Sequence, residues 1–216
     1  GKVVTGGSPV VKSSTGYGIP RLISGSFGSL GMIGTVTLKL WSQPLTTATV
    51  EVGDPATAYL RTYRPLAVLE TSDGSFLYLG GTEEQITAQA RDVAGEVRPG
   101  LSWPEPIVDP IRIEFRVPPA LVKAAIDRCR GLGARRWIAE HGIGRVAVGL
   151  VEMDNAAFEA ARSWTESVGG ALVTVTGAND IDPWGTPPTS IETQRSIKEA
   201  FDPSGICNPG ILPGRL

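Results

Sequence analysis

The stretch Ile111-Arg112-Ile113-Glu114-Phe115-Arg116-Val117 alternates apolar side chains with charged ones. This period of two is typical of a β-strand that is buried on one side, so we expect its charged residues to form a solvated face. Apolar residues at helical spacing follow it, at Leu121, Val122, Ala125, Ile126 and Cys129. The stretch therefore predicts a strand that leads into an amphipathic helix whose apolar side, including Cys129, faces the core.

Upstream of this strand, two apolar runs predict a hairpin. Leu66–Thr71 and Ser75–Leu79 flank Asp73-Gly74, a dipeptide that favours a tight turn between antiparallel strands. Thr82 and Gln85 then have the spacing of a capping box, which predicts the start of a helix.

Downstream, the pattern of strand, strand, helix and strand recurs. Arg145–Val151 predicts a buried strand, Asp154 caps a further helix, and Leu172–Val175 predicts a last strand. The element order is thus β-β-α, β-α, β-β-α-β, with the proline-rich connector Pro99–Pro110 between the first two groups. We therefore predict an α+β fold for residues 45–180, a ferredoxin-like antiparallel sheet with helices on one face.

The two ends of the chain have a different character. Residues 1–44 are rich in Gly and Ser and end in the alternating run Val36-Thr37-Leu38-Lys39-Leu40, which predicts a half-buried strand. Residues 181–216 begin with the linker Pro183–Pro188. A second capping box, Thr189 with Glu192, predicts a helix that ends before Asp202-Pro203.

Composition excludes several classes of function. The chain has 216 residues and a formal net charge of −2, which argues against a general nucleic-acid binder. Its two cysteines, Cys129 and Cys207, are far apart, and its single histidine is His141, so we expect neither a disulfide framework nor a metal site. No apolar run is long enough for a membrane span, and a cytoplasmic location is expected.

The segment most suggestive of chemistry is Gly25-Ser26-Phe27-Gly28-Ser29-Leu30-Gly31. Glycines at every third position leave backbone N–H groups accessible, and successive N–H groups form a concavity that suits a diphosphate. The spacing is neither that of the Rossmann motif nor that of Walker A. A tight connection packed under a sheet is the structural alternative.

Two motifs give this chain a family resemblance. Lys12–Tyr17 followed by Gly25–Gly31 and Thr37-Leu38-Lys39-Leu40 resembles the second half of the FAD-binding (PCMH-type) domain of vanillyl-alcohol-oxidase-type flavoproteins. Phe201–Gly210 resembles the closing signature of the FAD-linked oxidase C-terminal region. The likeness is strongest to the FAD-binding subunits of bacterial glycolate oxidases. It implies three parts: residues 1–44 in the FAD domain, 45–180 as a cap, and 181–216 returning to the FAD domain.

The resemblance also implies a cofactor site and leaves the catalytic residues unknown. FAD would be bound by residues of both motifs: Thr15, Gly16, Tyr17, Gly25, Ser26, Gly28, Leu30, Gly31, Ile33 and Asn208. Gly18 stands where the family often has Asp, and Ile33-Gly34-Thr35 stands where it often has Ile-Thr-Glu. The earlier half of the family's FAD domain has no counterpart in these residues, so this chain is expected to be part of a longer flavoprotein or a short relative.

The implied activity is FAD-dependent oxidation of a small 2-hydroxy acid, with a flavoprotein and an iron–sulfur subunit as partners. These partners could also attach the chain to the inner membrane. One alternative is a non-catalytic docking subunit that does not hold FAD by itself. Another is a nucleotide-phosphate binder unrelated to flavin.

Several further residues have simpler interpretations. We expect His141 to lie in a surface turn, and Lys12 and Arg21 either to pair with phosphate or to lie on the surface. Cys207 adjoins Asn208 and could approach a flavin, but packing is the default for it. Packing is likewise the default for Trp103, Trp137, Trp164 and Trp184.

Overall fold

The structure is a computed structural model that describes residues 2–7, 18–177 and 181–216. The chain forms two compact units. The first, which we call the loop unit, comprises Gly1–Trp41 and Thr186–Leu216. The second, the sheet unit, comprises Ser42–Gly185.

The described residues contain helices and strands in the following order. The helices are α1 Ile19–Ile23, α2 Pro55–Arg61, α3 Glu83–Asp92, α4 Val122–Gly131, α5 Asn155–Ser167 and α6 Ile191–Phe201. The strands are β1 Thr46–Glu51, β2 Ala67–Thr71, β3 Ser75–Gly81, β4 Glu96–Pro99, β5 Ile111–Arg116, β6 Arg136–Glu140, β7 Arg145–Leu150 and β8 Ala171–Thr176. Short 3-10 turns lie at Pro119–Leu121 and Pro213–Arg215.

The sheet unit contains one eight-stranded sheet, in the order β4-β1-β3-β2-β6-β7-β5-β8. Every strand pair in it is antiparallel. Chain order divides it into halves that each read β-α-β-β-α-β, the element order of a ferredoxin-like motif. The first half spans β1 to β4 and the second β5 to β8, and the strands of the two halves mirror one another across the pair β2–β6. The predicted antiparallel sheet with helices is confirmed.

Each half has its own apolar core between the sheet and its two helices. In the first half Ile86 and Ala90 of α3 pack with Val50, Leu77 and Leu79 of the strands. In the second half α4 and α5 cover the strands β5 to β8, and the buried side chains there include Phe115, Ile126, Cys129, Val148 and Phe158. Cys129 thus lies in the core, as predicted, and burial raises its pKa to about 12. Its thiol is therefore protonated and unreactive at neutral pH.

Local sequence signals account for three of these boundaries. The hairpin β2–β3 closes where Thr71 bonds to Gly74, as the Asp73-Gly74 dipeptide predicted. The Thr82–Gln85 capping box is present at α3, and Asp154 accepts the N–H groups of Ala156 and Ala157 at α5. Each of these caps satisfies N–H groups that the first helical turn leaves without partners.

The sequence analysis missed three elements of the first half: β1, α2 and β4. The signal for α2 is present, because Asp54 precedes Pro55 and accepts the N–H groups of Ala56 and Thr57. β4 is only four residues long and fully exposed, so it carries no alternating pattern.

Two predictions at the ends of the chain are wrong. Val36–Leu40 is not a strand: it is exposed, and within the described residues no neighbouring strand supplies its hydrogen bonds. The capping box of Thr189 and Glu192 is also not formed. α6 begins after Ser190, whose backbone is turned rather than extended, so no side chain caps the helix. The N–H of Ile191 bonds to the Pro188 carbonyl instead.

Candidate functional site

The glycine-rich loop of the loop unit follows directly from α1. It turns twice: the N–H of Ser26 donates to the Ile23 carbonyl at 3.0 Å, and that of Ser29 donates to the Ser26 carbonyl at 2.9 Å. Gly25 and Gly28 adopt positive φ angles of 83° and 73°, which glycine tolerates best. The glycine spacing therefore produces two consecutive tight turns rather than a helix or strand.

Several backbone N–H groups of this loop have no hydrogen-bond partner among the described residues. They belong to Gly25, Gly28, Leu30 and Gly31. A Cβ placed on Gly25 or Gly31 would meet nothing within 4 Å, so the backbone there is open to an approaching molecule. Unpaired N–H groups in a turn of this kind attract anions.

Ser29 adds a polar atom to the same loop. The residue is fully buried, and its Oγ has no hydrogen-bond partner in the described part of the chain. Buried hydroxyl groups are normally paired, so an orphan here marks a place where a polar ligand group or a water molecule would be favourable. Ser26 is also buried.

The C-terminal turn meets this loop through Asn208. The side-chain amide of Asn208 donates from Nδ2 to the carbonyl of Phe27 at 2.7 Å. A Cβ on Gly28 would lie 3.0 Å from the same Nδ2, so a side chain there would displace the amide by a few tenths of an ångström. Both Phe27 and Asn208 have positive φ angles, 52° and 39°, which are uncommon for residues with a side chain. The contact thus holds two unusual backbone conformations together.

A buried ion pair lies behind this contact. Lys198, near the end of α6, is 9% exposed, and Asp202 is 6% exposed. The Lys198 Nζ donates to the Asp202 carboxylate, to the Ser29 carbonyl at 2.6 Å and to the Cys207 carbonyl at 2.7 Å. The ammonium therefore uses all three of its donors, and each acceptor belongs to a different segment.

Asp202, the anion of this pair, also binds the backbone of the C-terminal turn. Its carboxylate accepts the N–H of Ile206 at 3.2 Å and that of Cys207 at 2.8 Å. The hydrogen bonds from Lys198 and from the Cys207 N–H hold its pKa at about 2. Asp202 is therefore ionised throughout the physiological range, and it fixes the turn that carries Asn208.

The structure brings only some of the predicted site residues together. Thr15, Gly16 and Tyr17 lie outside the described residues, as does Lys12. Gly28 and Asn208 lie side by side, whereas Ile33 is exposed beyond the loop. The remaining predicted residues, Gly25, Ser26, Leu30 and Gly31, belong to the loop itself.

Lys198 and Asp202 were not predicted to contribute to this site. The sequence places Lys198 on the same side of α6 as Ile191, Ile197 and Phe201, which is the available signal. A charged residue on an apolar helical stripe needs a buried partner, and Asp202 stands four residues later.

The loop residues fit a phosphate-bearing cofactor. N–H groups without partners, an orphan buried hydroxyl, and unobstructed glycines at positions 25 and 31 suit a diphosphate group. Among the described residues no group of His, Cys, Asp and Glu side chains could hold a metal ion. Nor does any described helix have the length and apolar character to cross a membrane.

Charged residues of the sheet unit form a second cluster, beside an open cavity of about 510 Å³. Glu114, expected on a solvated face, is instead buried: it accepts from Arg116 at 2.7 Å and from Arg145 at 2.6 Å. Burial raises the pKa of Glu114, but these two guanidinium groups outweigh it, and the pKa lies below its usual value. With both oxygens engaged, Glu114 is a structural anion rather than a general base.

His141 lies in the turn between β6 and β7, as predicted, but its side chain is buried rather than on the surface. It is 7% exposed, and its Nε2 lies 2.9 Å from the Glu70 carboxylate. The pair joins the two halves of the sheet, because Glu70 lies on β2 and His141 immediately follows β6. The sequence could not predict this pairing, since 71 positions separate the two residues.

The predicted packing roles of the tryptophans hold for three of them. Trp103 stacks on Tyr78 with ring centroids 4.1 Å apart. Trp137 is buried in the second core, and Trp164 packs against it under the guanidinium of Arg128.

Comparison with known proteins identifies one part of the chain. Residues 184–212 match the family described as FAD linked oxidases, C-terminal domain. No curated protein matches the chain. The matched segment contains α6, Lys198, Asp202 and Asn208. The match supports the FAD-linked oxidase family and, with it, an FAD-dependent oxidoreductase, for a short C-terminal part of the chain.

Proposed function

We propose that this chain forms part of the FAD site of an oxidoreductase of the glycolate oxidase type, which oxidises a small 2-hydroxy acid. One observation carries the proposal. The segment that matches the FAD-linked oxidases ends in a turn whose Asn208 bonds to the glycine-rich loop at Phe27. The matched segment and the anion-attracting loop thus belong to one site.

The loop would bind the diphosphate and the adjoining parts of the cofactor. The N–H groups of Gly25, Gly28, Leu30 and Gly31 have no partner among the described residues. A cofactor that bound them would not have to displace an existing hydrogen bond. Thr15, Gly16, Tyr17 and Ile33 are proposed to extend this surface. Asn208 would orient the ring system through its side-chain amide, whose oxygen accepts no hydrogen bond from the described residues.

Bound FAD would supply a two-electron acceptor for the hydride of the 2-hydroxy acid. The described residues of the loop and the C-terminal turn bind and orient, and we assign none of them the role of general base. Asp202 is engaged by Lys198 and by two N–H groups. We therefore propose that partner subunits, a flavoprotein and an iron–sulfur protein, complete substrate turnover and electron transfer.

A cofactor titration tests this function. The purified chain is titrated with FAD, FMN and riboflavin, and quenching of flavin fluorescence reports binding. We expect FAD to bind most tightly, because only FAD presents a diphosphate to the loop. Replacing Asn208 by Ala should weaken FAD binding about tenfold, the effect of losing one well-placed polar contact.

The matched control is Asn155→Ala, which changes the same residue type at the exposed start of α5 in the sheet unit. It should leave the affinity for FAD unchanged. Absence of any flavin binding, or equal weakening by both variants, would contradict the proposed cofactor site.

A second candidate function, a docking subunit that does not hold FAD by itself, is favoured by a different observation. Residues 32–41 expose large apolar side chains: Met32 98%, Ile33 57%, Val36 61%, Leu38 73%, Leu40 81% and Trp41 89%. Exposed apolar surface of this density is typical of a binding surface for another protein. Because Val36, Leu38 and Leu40 alternate with polar residues, a partner that adds a β-strand would suit this segment.

The two functions are separated by co-purification. In the docking function, the chain captures a flavoprotein partner without flavin of its own. Leu38→Asp abolishes capture and Thr37→Asp does not, because the two side chains face opposite ways once the segment pairs as a strand. A flavin-loaded monomer that oxidises a 2-hydroxy acid would exclude the docking function.

A further inference from the structure

We infer that Lys198 is the positioning residue of this site: it sets the distance between the C-terminal turn and the glycine-rich loop, and hence the place of Asn208. The inference rests on the proposed function for its cofactor readout. It goes beyond that function, because Lys198 would not touch the cofactor.

The first argument is connectivity. The Lys198 ammonium bonds to the Ser29 carbonyl in the loop, to Asp202 at the end of α6 and to the Cys207 carbonyl in the turn. Cys207 immediately precedes Asn208, and Ser29 lies two residues after Phe27, which accepts the Asn208 amide. One atom therefore joins the two backbone segments on either side of the Asn208 contact.

The second argument is energetic. A buried ion pair loses the hydration of both its charges, and a well-packed apolar pair in its place is often equally stable or more stable. General stability therefore does not require Lys198 and Asp202. What an apolar pair could not do is donate to two carbonyls from different segments, and that is what Lys198 does.

The third argument is geometric. The three acceptors converge on a single nitrogen, which a compact ammonium satisfies. Arginine would keep the charge, but its planar, forked guanidinium cannot place one nitrogen between the same three acceptors. The site thus selects lysine over arginine.

The test compares two double variants on the same helix. Lys198→Met with Asp202→Asn removes the ion pair but keeps an amide oxygen that can accept one of the two N–H groups, of Ile206 and Cys207, that Asp202 binds. The control, Arg195→Met with Glu192→Gln, removes the exposed pair of α6, in which the two side chains are 46% and 77% exposed. Circular dichroism verifies that each variant is folded.

The first readout needs no cofactor. The Asn208 side-chain amide, followed by NMR, should lose its hydrogen-bonded chemical shift in the Lys198 variant and retain it in the control. The second readout is FAD affinity, which should fall about tenfold or more in the Lys198 variant only.

If the double variant does not fold, the single variant Lys198→Arg takes its place in the test. Arginine keeps a positive charge beside Asp202. We expect this variant to fold and to lose the Asn208 signature. An Asn208 amide that keeps its hydrogen-bonded chemical shift in Lys198→Arg, or in the folded double variant, overturns the inference. If the wild-type chain binds no FAD, the proposed function fails, and the NMR readout alone still decides the role of Lys198.

Discussion

Asn208 Nδ2 donates to the Phe27 carbonyl at 2.7 Å, although 181 positions separate the two residues. The contact joins the C-terminal turn to the glycine-rich loop of the same unit. It is closest when residue 28 has no side chain, because a Cβ there would lie 3.0 Å from the Asn208 amide nitrogen and crowd it. The order of glycines in the loop and the identity of residue 208 are therefore linked.

Replacing Gly28 by Ala should disrupt this contact and weaken FAD binding by at least about tenfold. The new Cβ crowds the Asn208 amide, and a φ of 73° costs alanine roughly 1–2 kcal/mol. The measurements are urea unfolding for stability and the NMR signal of the Asn208 side chain for the contact.

Gly25→Ala is the matched control for this experiment. Gly25 has a φ of 83°, so it has a similar conformational cost, but nothing lies within 4 Å of its Cβ position. Both variants should have a similar conformational cost, and only Gly28→Ala should also alter the Asn208 signal. An unchanged signal in Gly28→Ala would show that the amide tolerates a side chain there.

Acid should loosen the loop unit below about pH 4. The pKa of Asp202 is held at about 2, mainly by the hydrogen bond from Lys198, whereas an unfolded aspartate titrates near 3.9. A depressed pKa contributes stability above the unfolded value, and that contribution is lost as pH falls from about 4 to about 2. NMR signals of Ile206 and Cys207 should therefore change in this window.

In Asp202→Asn the same signals should not titrate in this window. A transition with an unchanged midpoint in the variant would assign it to another carboxylate.

The helices and strands that could be predicted are those marked by a pattern in their own residues. Period-two alternation located β5, and the side chains of Thr82 and Asp154 located the starts of α3 and α5. Val36–Leu40 has the same alternation as β5, yet it is not a strand. Alternation indicates which residues suit a strand, but only a neighbouring strand supplies the hydrogen bonds that make one.

Long-range polar pairs could not be predicted. Glu114 alternates with arginines as a solvated face would, but Arg145 from the neighbouring strand β7 covers it and it is buried. His141 and Glu70, and Lys198 and Ser29, are likewise brought together by topology alone. The candidate cofactor loop was recognisable from its glycines, whereas the residue that joins it to the turn was not.

Replacing Glu114 by Gln should destabilise the sheet unit by about 1–3 kcal/mol, because two guanidinium groups lose their buried anion. Glu51→Gln is the control: the Glu51–Arg98 pair is about half exposed, at 50% and 54%, and exposed pairs contribute about 0–1 kcal/mol. Urea unfolding of both variants measures the difference. Equal effects would mean that Glu114 is hydrated rather than buried.

The pair of His141 and Glu70 should stabilise the junction between β2 and β6 cooperatively. His141→Phe keeps an aromatic ring but leaves the partly buried Glu70 carboxylate without its partner, so we expect a loss of about 1–3 kcal/mol. Glu70→Leu should cost a similar amount by leaving the imidazole unpaired. The double variant should cost less than the sum of the two, because replacing both partners by apolar groups can be nearly neutral. Urea unfolding midpoints of the four proteins give the coupling energy, and strictly additive effects would show that the two side chains do not stabilise each other.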